Sequence, residues 1–176
     1  MKKAIRKVLL LMLTISIMLG ALKTSAYAST YKIVHPDDFG EPISESSYID
    51  DEGNLVEEKI YFIPTGNCSL RDASGEGWYK NEKKHTFSAG HVMVYYAEGY
   101  FTWGNGNVSV TNPYATVNSV PGITYSNISF DYGQGQYLGF LNNYAYVSYS
   151  FTATTYAGLS HDYSVRIRVS QSGNVI

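Results

Sequence analysis

Two stretches near the C-terminus alternate with a period of two and permit little other than a β-sheet. In "YSVRIRV", Tyr163, Val165, Ile167 and Val169 interleave with Ser164, Arg166 and Arg168. A strand sends these two sets to opposite faces, whereas a helix would scatter the arginines around its circumference. In "NNYAYVSYSFTATTYAG", Asn142 to Gly158, an apolar row is formed by Ala145, Val147, Tyr149, Phe151 and Ala153. Tyr144, Tyr146, Ser148, Ser150, Thr152 and Thr154 form an uncharged row between them. "GLSHD", Gly158 to Asp162, reads as the turn between the two stretches, which should pair as a hairpin. Arg166 and Arg168 then share a sheet face with the hydroxyls. Twelve residues at about 3.3 Å each would extend roughly 40 Å, so a bend or bulge is expected within the first stretch.

The same signals recur upstream. "VEEKIYFI" (Val56 to Ile63) is rich in β-formers, and "HVMVYYA" (His91 to Ala97) is nearly continuously apolar, as a strand covered on both faces would be. "YFTW", "NVSV", "YATVNSV" and "ITYSNISF" follow, separated by turn signals at "GNGN" (Gly104 to Asn107), Asn112-Pro113, Pro121-Gly122 and "YGQGQ" (Tyr132 to Gln136). Short strands at about 8–12 residue spacing predict an all-β fold, a single antiparallel β-sandwich in preference to a barrel.

The first 28 residues are expected to lie outside that fold. Lys2, Lys3, Arg6 and Lys7 precede an apolar run from Val8 to Leu22, and Ala26 and Ala28 fit an A-x-A cleavage site. This is the pattern of a signal peptide cleaved after Ala28, its apolar run short of the roughly 20 residues a spanning helix needs. With no cysteine at that site and no second apolar segment at the C-terminus, the expected product is secreted and soluble, with no stable membrane span. Removing 28 of the 176 residues leaves 148, the size of one domain. Five of the 13 basic residues and none of the 15 acidic ones go with them, so eight stand against 15 and the net charge becomes about −7. Nucleic acid is thereby disfavoured as a partner. Acidic residues concentrate in residues 29–98, read as a loop-rich leading part, and 99–176 read as the sheet-rich part. Cys68, the single cysteine, has no partner for a disulfide and reads as a small buried hydrophobe.

Candidate chemistry is sparse. "DDEGN" at Asp50 to Asn54 and "HPDDFGE" at His35 to Glu41 are dense in oxygen ligands, but neither has the spacing of a calcium loop, and "DEGN" between β-like flanks is ordinary hairpin chemistry. His85 and His91 on one continuous strand would stand about 20 Å apart, too far to share a zinc ion. No nucleophile elbow and no metalloprotease motif occurs, His161-Asp162 falls in the expected turn, and no cofactor is called for. A hydrolase would have to draw an acid pair partly from Glu76, Glu82 or Glu98, with Asp131 or Asp162, and bring a histidine and a carboxylate together in a cleft. Asn67, Asn107 and Asn127 begin N-x-S sequons; the leader and the low cysteine count have a bacterial look, so these are expected to be incidental.

Aromatic residues carry the binding signal. The chain has 17 tyrosines. Trp78 and Tyr79 sit among glycines and lysines, as in an exposed loop, and Trp103 beside a glycine turn. Aromatic platforms with neighbouring amides and hydroxyls bind sugars, and Tyr and Trp also anchor protein interfaces. Trp78, Tyr79, Trp103, Tyr144 and Tyr146 are therefore the expected ligand-binding residues, exposed and close together. Alternating Ser/Thr and apolar residues also describe the hairpins of pore-forming proteins, a further alternative.

The leader "MKKAIRKVLLLMLTISIML…AYAS", the strands "GNVSV…YATVNSV" and the closing "FTATTYAGLSHDYSVRIRV" resemble small exported proteins of Gram-positive bacteria with a C-terminal β-sandwich domain of unknown function. The resemblance covers about the last 80 residues in pattern. It implies the fold and an extracellular address, and brings no catalytic residues. The expectation is a secreted, non-catalytic β-domain that binds a cell-wall glycan or an extracellular protein.

Overall fold

The computed structural model describes residues 35–66, 69, 72–87, 89–136 and 143–176. The leader and Cys68 lie outside the described residues. Eight strands follow in order: β1 (Ser44–Ile49), β2 (Leu55–Pro64), β3 (Gly75–Thr86), β4 (Val92–Gly104), β5 (Asn107–Val117), β6 (Ile123–Gln136), β7 (Asn143–Thr155) and β8 (Ser160–Ser170). Every neighbouring pair is antiparallel. A five-stranded sheet runs β1-β2-β3-β4-β5 and a three-stranded sheet β6-β7-β8, so the chain lays down one meander and then the other. The result is the β-sandwich that the period-two stretches require, with no helix among the described residues.

The β7–β8 hairpin pairs as its side chains dictate. Val147 faces Ile167 and Tyr149 faces Val165 on the inner side, while Tyr146 faces Arg168 and Ser148 faces Arg166 on the outer side. The whole inner row from Ala145 to Ala153 is buried. His161 and Asp162, however, lie within β8 and not in the turn, which spans residues 156–159. The expected irregularity falls in the partner strand: β7 runs unbroken, and β6 shifts register between Ser126 and Ser129, where Asn127 has a φ of 49°.

The larger sheet supplies the opposing layer. Met93, Tyr95, Ala97, Phe101 and Trp103 of β4 point inward with Tyr79 of β3, and β8 packs over β3 and β4 while β7 packs over β4 and β5. Rings fill the interface: Phe151 stacks on Tyr163 at 5.6 Å and meets Tyr95 edge-on at 5.3 Å. Such pairs add about 0.5–1.5 kcal/mol each to the burial of their area, and they replace the disulfides this chain lacks.

Three sequence readings need correction. The acidic leading part is not loop-rich: β1, β2, β3 and part of β4 occupy it, because its charges pair across strands, as in Lys84–Glu57 at 2.6 Å and Lys59–Glu45 at 3.4 Å. Asn112-Pro113 is no turn but a bulge inside β5, with Asn112 at a φ of 48°. There the proline sits on an edge strand, where no ladder donor is missed. "YGQGQ" is the end of β6, whose glycines serve cross-strand packing. The turn at Gly104 to Asn107 does form: Asn105 and Gly106 both have positive φ, as a two-residue hairpin loop needs.

Candidate functional site

The structure separates the five expected binding residues. Trp78, Tyr79 and Trp103 do not form an exposed platform; they are 4 %, 0 % and 5 % exposed. Tyr79 and Trp103 point into the sandwich. The Tyr79 hydroxyl donates to the Gly173 carbonyl at 2.6 Å, and the Trp103 indole N–H donates to the Asp72 carbonyl at 3.1 Å. Trp78 does lie on the outer face of β3, but the His35 ring covers it at 5.0 Å and Tyr100 packs beside it. The glycines and lysines around Trp78 belong to a central strand, not to a loop.

Around Trp78 that outer face of the larger sheet is covered, whereas Ile49, Leu55, Val92 and Tyr114 elsewhere on it are exposed. Phe39, in the segment ahead of β1, packs on Tyr61. The Lys80 ammonium lies over the rings of Phe39, Tyr61 and Tyr96, 4.2 Å from the last, and pairs with Glu82 at 2.7 Å. Glu98 is 1 % exposed and pairs with His35. Burial, with Glu98 nearby, pushes the Tyr96 phenol up to about 12.

Tyr144 and Tyr146 behave differently. Both sit on the outer face of the smaller sheet, half-buried, with ring centroids 6.1 Å apart. Register places Gly135 opposite Tyr144 and Gly133 opposite Tyr146. Each ring leans across its glycine: a Cβ built on Gly135 would stand 2.4 Å from Tyr144 Cζ. Only glycine at 135 lets the ring lie down on the sheet instead of standing away from it. The Arg168 and Arg166 guanidinium carbons lie 5.6 and 5.7 Å from the centroids of Tyr144 and Tyr146 respectively. The Tyr146 hydroxyl donates to Asp131 at 2.8 Å, a bond that holds its own proton in place and raises its pKa. Arg166 Nε donates to Ser148 at 3.2 Å, Thr152 donates to Asp162 at 2.6 Å, and Thr154 and Ser160 pair at 2.8 Å. The face is therefore a prearranged strip of two rings, tilted 54° to each other, and a field of hydroxyls. Asp131 and Asp162 balance Arg166 and Arg168.

A second polar locus was not legible as a unit. The chain reverses between Phe87 and His91, where Gly90 has a φ of 82°, so the two histidines are not on one strand: His85 is buried and His91 is exposed. The β1–β2 turn brings Asp50 Oδ2 to 3.8 Å from His85 Nδ1 and Glu52 Oε1 to 2.5 Å from His161 Nδ1. The histidine–carboxylate convergence expected of a cleft is thus present, made from segments far apart in the chain. Alternation could have assigned His85 to the inner face with Tyr79, but nothing local could have paired it with Asp50. Burial lowers the His85 pKa, against the pull of Asp50. Burial also works to raise the Asp50 pKa, but hydrogen bonds from Asn54 and Glu52, together with His85, outweigh it and hold the carboxyl below its ordinary value.

The fold and these surfaces define a β-sandwich whose larger sheet is covered around Trp78 on its outer face and whose smaller sheet carries a neutral, aromatic outer face. The chain matches no family model, no curated protein and no solved structure.

Proposed function

We propose that this is a secreted, non-catalytic module that binds a neutral cell-wall glycan on the outer face of its smaller sheet. The carrying observation is the pair of tyrosine rings laid across Gly133 and Gly135 and flanked by Arg166, Arg168 and a run of serine and threonine hydroxyls. A pyranose needs an aromatic surface for its C–H face and donors and acceptors at its rim, and the two rings with their neighbouring hydroxyls support this reading. Rings that are already packed lose little freedom on binding. The balance of two acids and two arginines favours an uncharged polymer over a polyanion. Secretion is the reading of the leader, and an extracellular address fits a wall ligand.

The test is retention of residues 29–176 on insoluble wall polysaccharide, neutral against anionic, compared with a Tyr144→Ala/Tyr146→Ala variant. The wild-type protein should be retained on the neutral polymer and the variant released. Equal retention of both proteins would reject this face.

A further inference from the structure

The outer face of the smaller sheet carries a second feature, further along β7 from the tyrosine pair. Alternation brings Ser150 and Thr152 to that face after Tyr144, Tyr146 and Ser148. Register sets Ser164 beside Ser150 and Asp162 beside Thr152. In β6, Asn127 lies in the bulge between Ser126 and Ser129, and its amide donates to the Thr152 hydroxyl at 3.1 Å, which puts its side chain on the same face. Asn127, Ser150, Thr152, Asp162 and Ser164 line a cavity of about 360 Å³. Small-molecule sites run from roughly 300 to 1,000 Å³.

The neighbouring charges leave this place clear because they lean the other way. The Arg166 guanidinium carbon lies 5.7 Å from the Tyr146 ring centre, and Asp131 accepts the Tyr146 hydroxyl. On the far side the wall is held by its own bonds, Asn127 to Thr152 and Thr152 on to Asp162 Oδ1 at 2.6 Å. That chain uses the donors of the wall and leaves acceptors, the Asn127 carbonyl oxygen and Asp162 Oδ2. The Ser150 and Ser164 hydroxyls make no hydrogen bond among the described residues, and each can donate as well as accept. Sugar hydroxyls, which also do both, match this lining. With no ring exposed in it, the cavity suits the polar rim of a sugar, whereas the tyrosines suit its C–H face.

The two features stand on one straight strand. From Ala145, between the two tyrosines, to Phe151, between Ser150 and Thr152, is six residues, about 20 Å at 3.3 Å each. A single pyranose is too short to touch both. A linear polymer lying along β7 meets both with different rings of one chain.

We propose that the glycan lies lengthwise along β7, one sugar on the Tyr144–Tyr146 rings and another, further along the chain, in the cavity between Asn127 and Ser164. The module then selects long, extended, neutral chains over short ones. This rests on the tyrosine face being the glycan-binding face, and adds to it a direction, a minimum length and a second subsite.

The experiment is a calorimetric titration of residues 29–176 with β-1,4-linked N-acetylglucosamine oligomers of two and of six rings, with backbone signals followed by NMR. The six-ring oligomer should bind at least about tenfold more tightly, the gain expected from two or more added hydrogen bonds. It should shift Ser150, Thr152 and Ser164 together with Tyr144 and Tyr146, and the two-ring oligomer should shift the tyrosines alone. Ser150→Val keeps a strand-forming residue and removes a hydroxyl from the cavity. It should weaken the six-ring oligomer about fivefold and leave the two-ring oligomer unchanged, which also shows the fold intact. Equal affinity for the two lengths, six-ring shifts confined to the tyrosines, or wild-type affinity of Ser150→Val for the six-ring oligomer would each overturn the second subsite and leave the tyrosine face standing. No shift at either end with either oligomer would reject the tyrosine face and this inference with it.

Discussion

Gly135→Ala separates the geometry of the tyrosine strip from the stability of the fold. The new methyl would meet the Tyr144 ring 2.4 Å from Cζ, a distance no packed structure holds, so the ring must rise off the sheet. The backbone is not at fault, because Gly135 pairs in ordinary extended conformation with Tyr144. Replacing a strand-interior glycine by alanine gains about 0.5–1 kcal/mol in chain entropy. Losing the cross-strand contact costs about 0.2–1 kcal/mol. Unfolding free energy from urea titration should therefore stay within about 0.8 kcal/mol of the wild-type value. Glycan affinity should fall about tenfold, the loss of roughly 1.4 kcal/mol as one well-placed ring is misdirected. Wild-type affinity with a displaced Tyr144 ring, seen in aromatic NMR contacts to β6, would refute the claim that ring orientation matters.

Three further outcomes follow from the packing. His35→Ala leaves the Glu98 carboxylate buried without its partner and should destabilise the fold by roughly 2–3 kcal/mol, at or below the low end for a broken buried pair since His35 is itself half exposed; His35→Ala/Glu98→Gln should recover part of that loss in the same urea assay. His85 binds its proton less readily folded than unfolded, so the unfolded chain takes up the extra proton. Stability should then fall as pH drops through about 6.5 towards the lower folded value, and His85→Gln should flatten that slope in melting curves taken from about pH 8 to 5. Phe101→Ala removes a fully buried ring between the sheets and should cost about 3–5 kcal/mol by denaturant titration.

The sandwich was legible because alternation survives wherever one face is buried. Tyr163 to Val169 and Ala145 to Ala153 announce their inner rows without any partner in view. Trp78 and Trp103 misled because neighbouring glycines and lysines mark loops and polar strand faces alike, and what buries Trp78 is a histidine from ahead of β1. The β5 bulge at Asn112-Pro113 carries the same letters as a turn; only register against β4 distinguishes them. Tyr144 and Tyr146 were identifiable as outward-facing, but their orientation depends on Gly133 and Gly135 across the sheet. The His85–Asp50 pairing depends on how the β1–β2 turn meets the far end of β3, which no single segment encodes.

The central claim is that ligand contacts the outer face of the smaller sheet, and chemical-shift mapping locates that contact directly. Soluble fragments of a neutral wall polysaccharide, titrated into labelled residues 29–176, should shift the signals of Tyr144, Tyr146, Gly133, Gly135 and Arg168 first and leave Lys80, Glu82 and Glu98 unmoved. Shifts confined to the outer face of the larger sheet, or none at saturating fragment, would contradict the account.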